Sequence, residues 1–309
     1  MPWHRSIPLL LIALCAGSLA LGALSPIRQA SLQTSSAAPS DAEIRDRTQK
    51  VLSNQHRDDL ALEQYERVEH QFIRSAGANP RVIEEKTYRV VPTGLGTYKI
   101  LLSENGNPVD PAAYHRQMVQ WSEALQLALR PDDPRAKTAV EKSEKKRKDR
   151  AELVDAAQSA FLLKWVGREM ASGHDCDVLE LSPNPEFHPH SLLQDALTRV
   201  KAKIWVDRKN NQLVHGEAQV IRDITIGGGI LGKLYRGGVF SMEQAEIAPD
   251  VWLPVRYQYD FMGRRLLFTF DEHQLIEASK YRMLGTPKQA LTIAQAELRA
   301  DQKPDRGDP

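Results

Sequence analysis

Apolar and polar residues alternate along most of the chain after residue 160, as expected for β-strands with one buried face. In residues 253–261, every second side chain is apolar and most residues between them are polar. Glycine, proline and asparagine separate such segments. We predict strands at residues 65–74, 82–91, 97–103, 161–170, 174–181, 199–207, 212–226, 234–247, 252–262 and 264–283. Gly263 is predicted to form the turn between the last two strands.

Residues 111–160 have a helical pattern instead. The apolar side chains that recur there every three or four positions are Tyr114, Met118, Trp121, Leu125 and Leu129. Pro131 and Pro134 end this helix, and a second helix is predicted at residues 135–159. The charged middle of that helix, residues 141–150, is typical of a solvated face with Glu–Lys pairs, and a basic binding arm is the alternative. A further helix is predicted at residues 41–56.

Together these elements predict an α+β fold that is mainly antiparallel β. Several predicted strands exceed ten residues, and long strands suit a sheet that curves. We therefore expect an open, strongly curved half-barrel with helices on its concave side. It would form a single domain over residues 41–285, with the helical insert at 111–160, and residues 286–309 would form a C-terminal tail that is partly disordered.

The beginning of the chain has the composition of an export signal. A charged start precedes an almost wholly apolar run at residues 7–24, which predicts a signal peptide of residues 1–22, followed by a flexible leader at 23–40. Two alternatives stay open. The apolar run is retained as a membrane anchor, or Cys15 is lipidated, although Leu14 fits a lipoprotein cleavage box poorly. In each case the working protein lies outside the cytoplasm.

Charge and cysteine content narrow the range of partners. The chain has 41 lysines and arginines and 40 aspartates and glutamates, so nothing in the overall charge favours nucleic acid, and no such partner is expected. Without the leader, Cys176 is the single cysteine left. No intrachain disulfide can then form, so the stability of the fold depends on its core. Separately, a monomer is expected.

Neither of two enzyme motifs is present in full. Residues 227–234 match a phosphate-binding loop as far as Lys233, but Leu234 replaces the hydroxyl residue that would hold magnesium, and strand-like sequence follows. A glycine-rich bend at the sheet edge is the simpler interpretation, and a mobile lip of a cavity is another. The second motif, Gly-x-Ser-x-Gly of serine hydrolases, is absent from the sequence.

A metal site is considered at His174, Cys176 and Asp177, since His174 and Cys176 share one face of a strand. His188 and His190 form the other local pair, but the spacing matches no known metal motif. Cys176 is therefore interpreted as a buried thiol. We expect no metal, no cofactor and no enzymatic activity, and an enzyme of unknown class is the last of three hypotheses.

Several segments resemble a known family. They are Lys203–Asp207 with Lys209-Asn-Asn, Val251–Pro254 followed by Gly263-Arg264, Glu277–Arg282, and Val178–Pro183 after Gly173. Over residues 161–284 these segments look like the bacterial outer-membrane lipoprotein-sorting proteins, the LolA/LolB-like carriers, a superfamily that includes the sensor RseB. The helical insert between the two halves of the sheet departs from the best-known carrier.

The resemblance implies an eleven-stranded half-barrel in the periplasm around an apolar cavity that takes acyl chains. The expected partner is a lipid or a lipidated protein, and the alternative is an interaction module that docks an envelope membrane protein. A curved sheet whose apolar face is partly covered by helices leaves such a crevice. The candidate lining residues are Leu253, Val255, Tyr257, Tyr259, Leu266, Phe268 and Phe270. An ordinary filled core is the alternative interpretation of the same residues.

Overall fold

The computed structural model describes residues 38–77, 79–226 and 231–301. The helices in this part of the chain are α1 Asp41–Leu62, α2 Pro111–Ala128, α3 Pro134–Ala160, α4 Leu192–Leu197 and α5 Pro287–Asp301. The strands are β1 Tyr65–Arg74, β2 Val82–Pro92, β3 Thr97–Glu104, β4 Asn107–Pro108, β5 Phe161–Ala171, β6 His174–Pro183, β7 Val200–Asp207, β8 Leu213–Val220, β9 Ile224–Ile226, β10 Gly232–Leu234, β11 Val239–Ala248, β12 Val251–Arg265 and β13 Phe268–Met283. The predicted signal peptide with Cys15, most of the leader, Gly227–Gly229 and the last residues of the tail lie outside the described residues.

The strands form one sheet in the order β4-β3-β2-β1-β13-β12-β11-β8-β7-β6-β5, and β10 pairs with β12 and β9. The pairs β1–β2, β2–β3, β1–β13, β5–β6, β6–β7 and β7–β8 are antiparallel. The order has two ends, so the sheet is not closed. The predicted class is therefore confirmed: the fold is α+β and mainly antiparallel, with an open sheet consistent with a half-barrel.

The chain divides into two compact units. Among the described residues, the first comprises 38–54, Val154–Met242 and Phe261–Phe270, and the second comprises Gln55–Leu153, Glu243–Asp260 and 271–301. Strands β12 and β13 contribute residues to both units. The single domain predicted over residues 41–285 stays a prediction.

The second unit has a core between α2, α5 and the strands β2 and β3. Asp110 caps α2 by accepting a hydrogen bond from the Ala113 amide, and a proline follows at the first helical position. The buried residues that meet in this core are Val91, Ile100, Met118, Trp121, Leu125, Leu284, Ala290 and Ala294. Trp121 donates its indole N–H to the Pro92 carbonyl at 2.9 Å, so its one polar atom is satisfied inside the core.

The first unit has its core on the sheet β5-β6-β7-β8. Strands β6 and β7 pair in an antiparallel ladder, in which Val178 lies opposite Trp205. Ser191 caps α4 through the Gln194 amide, and the buried Ala196 and Leu197 of this short helix join the core.

Several boundaries differ from the sequence prediction. Helix α1 extends to Leu62 instead of ending at residue 56, and the strand predicted at 212–226 is divided into β8 and β9. Gly263 does not form a turn: β12 continues to Arg265, and the turn falls at Leu266, where φ is +52°. Glycine stands at 263 because a Cβ there would lie 2.4 Å from the Phe270 ring and 2.5 Å from the Lys233 carbonyl oxygen. The predicted strand 234–247 is interrupted between β10 and β11, where Gly237 has φ +96°.

The segment 286–309, predicted as a tail, contains α5. Thr286 and Gln289 cap this helix reciprocally, since the Thr286 amide donates to Gln289 Oε1 at 2.8 Å and the Gln289 amide donates to Thr286 Oγ1 at 3.4 Å. Ala290 and Ala294, four residues apart, face the core. This docking explains why residues 287–301 are helical.

Candidate functional site

A cluster of charged and tyrosine side chains lies on one face of β1, β12 and β13 in the second unit. It is built on Arg67 and Glu69, which are two residues apart on β1 and therefore point to the same side of the sheet. Tyr257 of β12 and Tyr281 of β13 act on the pKa of Arg67 and so lie close to it. We call these four residues, together with Lys99 of β3, the interior polar cluster.

Glu69 is the hub of this cluster. Its Oε1 lies 2.7 Å from Arg67 Nη2, and its Oε2 lies 2.5 Å from Lys99 Nζ and accepts a hydrogen bond from Gln71 at 2.8 Å. Burial alone would raise the pKa of Glu69, but the charges of Arg67 and Lys99 and the hydrogen bonds lower this pKa to about 2. Both carboxylate oxygens are thus occupied, and the group is ionised at neutral pH.

Tyrosine hydroxyls line the same face. Burial raises the pKa of Tyr257 well above its ordinary value, Tyr281 and Glu69 raise this pKa further, and the charge of Arg67 opposes the shift. Burial also raises the pKa of Tyr281, whose hydroxyl donates to the Pro254 carbonyl. These phenols stay neutral, and their rings provide apolar surface beside the charges.

Helix α1 approaches this face. Asp59 of α1 lies 3.2 Å from Arg150 of α3, and it also acts on the pKa of Tyr257. Burial raises the pKa of Asp59, while Arg150 opposes that shift. The next carboxylate, Glu63, is paired with Arg147 at 2.5 Å.

The predicted lining residues fall in two places. Leu253, Val255, Tyr257 and Tyr259 belong to the second unit, where Leu253 and Tyr259 are buried and Val255 and Tyr257 between them are partly exposed. Since the four residues alternate along β12, they share one face. The structure therefore brings these four together with the interior polar cluster.

The other three candidates, Leu266, Phe268 and Phe270, belong to the first unit. Phe270 packs against Gly263, and Arg265 lies 5.6 Å from its ring centroid. The exposed apolar side chains at the β12–β13 turn are Met262 at 55%, Leu266 at 52%, Leu267 at 89% and Phe268 at 78%. We call these four residues the hairpin tip. Large apolar side chains that are this exposed and this close in sequence are typical of a contact surface.

The sequence prediction missed Arg67, Glu69 and Lys99. Strand β1, YERVEHQFIR, carries charged residues on both faces, so its pattern does not show which face is dry. Lys99 reaches Glu69 from β3, two strands away in the sheet order. That contact forms only in the folded protein, so no local sequence pattern indicates it.

A second group of charges in this unit is balanced. Arg89 lies 2.7 Å from Glu66 and 2.6 Å from Glu297, and Arg282 lies 2.5 Å from Glu66 and 3.1 Å from Glu297. The two arginines and two glutamates close a ring that ties α5 to β1, β2 and β13. An open groove of about 420 Å³ beside it is lined by Arg89, Tyr114, Met118, Arg282, Glu297, Leu298 and Ala300. This ring stabilises the docking of α5.

Asp177 and Cys176, two of the candidate metal ligands, have other surroundings in the structure. Asp177 is buried and accepts from Arg47 at 2.6 Å, Trp165 at 3.0 Å and Arg168 at 3.2 Å. Burial raises the pKa of the Cys176 thiol to about 12, which keeps it protonated. No group of three side chains suited to metal binding occurs among residues 38–77, 79–226 and 231–301.

None of the helices in the described part of the chain combines the length and apolar character that a membrane crossing requires.

No family model and no curated protein matches the chain. Solved structures do. An outer membrane lipoprotein-sorting protein domain from Vibrio parahaemolyticus is 10% identical, with a TM-score of 0.32, over 80% of this chain and 99% of that chain.

Two further structures are similar. A LolA superfamily protein from Nitrosomonas europaea is 13% identical, with a TM-score of 0.30, over 79% of this chain and 96% of that chain. A chain of the Pseudomonas aeruginosa MucA/MucB complex is 10% identical, with a TM-score of 0.21, over 76% of this chain and 92% of that chain. The resemblance inferred from the sequence is confirmed in that lipoprotein-sorting and LolA-superfamily structures are among those that match.

Proposed function

We propose that this chain is a non-enzymatic periplasmic binding protein that carries a lipid, a lipidated protein or another amphipathic molecule against the inner face of its open sheet. The observation that carries the proposal is the burial pattern along one face of β12. Leu253 and Tyr259 are buried, but Val255 and Tyr257 between them are partly exposed. The packing over this face of the 15-residue strand β12 is therefore incomplete at Val255 and Tyr257. We call this place the gap.

An acyl chain suits such a gap. Each methylene group removed from water contributes about 0.8 kcal/mol, and Val255 with the ring of Tyr257 offers apolar surface for it. Ligand sites of this kind are mostly apolar with a few fixed polar groups, and the interior polar cluster supplies those groups. The candidates Leu253 and Tyr259 would border the gap rather than line it.

The test is direct binding to the purified chain. We expect organic extraction followed by mass spectrometry to release a lipid, and the emptied protein to take up a fluorescent fatty acid. Val255→Trp should fill the gap and weaken uptake about tenfold or more. Met262→Trp, on the same strand but exposed at its end, is the matched control and should bind normally. Absence of extracted lipid together with absence of uptake would refute the proposal.

The hairpin tip favours a second function, docking to an envelope membrane protein. Its four apolar side chains are more than half exposed, and central apolar anchors dominate the energy of protein interfaces. The first unit would then contact the partner, independently of cargo in the second unit.

Paired variants separate the two functions. The double substitution Leu267→Ser and Phe268→Ser should abolish cross-linking of a membrane protein from the tip and leave fatty-acid uptake unchanged. Val255→Trp should do the reverse. If the tip variant cross-links as well as the wild type, docking through the tip is wrong.

A further inference from the structure

The interior polar cluster contains an unused hydrogen-bond donor. Arg67 Nη1 is buried and has no hydrogen-bond partner among the described residues. Its neighbouring nitrogens Nε and Nη2 both go to Glu69 Oε1, and Glu69 Oε2 is taken by Lys99 and Gln71. Glu69 therefore has no lone pair left to satisfy Nη1. A buried polar atom without a partner costs free energy and calls for an explanation.

The charges around this donor also suit an added anion. Two cations of the cluster, Arg67 and Lys99, pair with the same carboxylate, Glu69. By contrast, in the ring of Arg89, Glu66, Arg282 and Glu297 each arginine contacts both glutamates. A cation held away from water is costly, and an anion that joins it offsets part of that cost.

We infer that Arg67 receives the anionic head group, a carboxylate or a phosphate, of an amphipathic ligand in the second unit. An oxygen of the head group would accept a hydrogen bond from Arg67 Nη1. The hydrocarbon chain would lie along the gap at Val255 and the ring of Tyr257, which is adjacent to Arg67. This inference rests on the proposed cargo function and specifies the chemistry of the cargo's polar end.

The location favours a charged head group over a neutral one. Charge-assisted hydrogen bonds from a guanidinium to an anionic oxygen are about twice as strong as neutral ones. The Arg67 side chain is 12% exposed, so salt screens this interaction less than it screens a surface pair. A preference for anions should therefore persist at physiological ionic strength.

The experiment measures binding of four amphiphiles with the same twelve-carbon chain: dodecanoate, dodecyl phosphate, dodecanol and dodecyltrimethylammonium. Calorimetry on the full chain, below the concentration at which each compound aggregates, gives the affinities. We expect one or both anions to bind about tenfold or more tightly than dodecanol, and the cation to bind weakest. The two anionic arms distinguish a carboxylate from a phosphate head group.

Variants then locate the preference. Arg67→Gln should reduce the ratio of anion to dodecanol affinity to about one while leaving dodecanol binding nearly unchanged, and Arg67→Lys should retain part of the ratio. Arg81→Gln makes the same charge change in the same unit, but Arg81 is exposed, so this control should bind like the wild type. Thermal unfolding confirms that each variant is folded.

The outcomes are separable. If wild-type protein binds dodecanol as tightly as both anions, the head-group inference is overturned while the cargo function stands, and no variant is needed for that result. If none of the four compounds binds, the cargo function and the inference fail together. An anion preference that survives Arg67→Gln in a folded protein would also overturn the assignment to Arg67.

Discussion

Arg67 Nη2 and Glu69 Oε1 lie 2.7 Å apart on one face of β1, and this contact helps to keep the Glu69 carboxylate ionised. The charges around Glu69 lower its pKa from 4.5 to about 2 in the folded protein. A carboxyl whose folded pKa is lowered contributes stability above its unfolded pKa and loses it as pH falls.

The first prediction concerns this loss. Between pH 4.5 and about 2, the limits set by the unfolded and folded pKa, the wild type should lose on the order of 3 kcal/mol through Glu69. Glu69→Gln should be less stable at neutral pH, because Arg67 and Lys99 lose their carboxylate, and its stability should vary less over the same pH interval. Urea denaturation at a series of pH values measures both effects.

Glu186→Gln, at an exposed carboxylate, is the control for this series and should follow the wild-type pH profile. A Glu69→Gln profile as steep as that of the wild type would show that Glu69 does not titrate in this way.

The second prediction concerns Gly263. Alanine there would meet the Phe270 ring at 2.4 Å and the Lys233 carbonyl oxygen at 2.5 Å, so Gly263→Ala should destabilise the protein by about 1–3 kcal/mol. Combining it with Phe270→Leu should cost less than the sum of the two single variants, because the ring clash is relieved and the carbonyl clash is not. Strict additivity in chemical denaturation would contradict this packing.

The third prediction concerns Cys176. Since burial raises its pKa to about 12, the thiol should resist Ellman's reagent in native buffer and react quickly in urea, both measured in a Cys15→Ser background. Its location also bears on the remaining enzyme hypothesis. A zinc-dependent rise in melting temperature that is lost on Cys176→Ser would contradict the interpretation as a buried thiol and revive a metal site.

The sequence predicts most of the strands because alternation is a local signal. The predicted strands 65–74 and 161–170 agree within one residue with the observed strands Tyr65–Arg74 and Phe161–Ala171. The prediction fails where a glycine's role depends on a distant residue, as Gly263 depends on Phe270 and Lys233. A turn and a close approach both select glycine, and the chain alone does not distinguish them.

The candidate site was predictable only in part, for a related reason. The alternation of β12 predicts that Val255 and Tyr257 belong to the site. Arg67, by contrast, is one of several charged residues on a strand with polar residues on both faces, so the pattern does not single it out. Its role depends on Tyr257 from β12, on Tyr281 from β13 and on Lys99 from β3. Those relationships arise only when the strands pair.

The last prediction concerns α5, which the sequence did not separate from the tail. Ala294 is fully buried in the core that contains Trp121, whereas the next residue, Gln295, is exposed. Ala294→Asp would bury a carboxylate beside the tryptophan and should destabilise the protein by on the order of 2–4 kcal/mol. The same change one residue on, Gln295→Asp, should be nearly neutral. Equal melting temperatures for the two variants would mean that α5 does not pack on Trp121, and tryptophan fluorescence would report the loss of that contact directly.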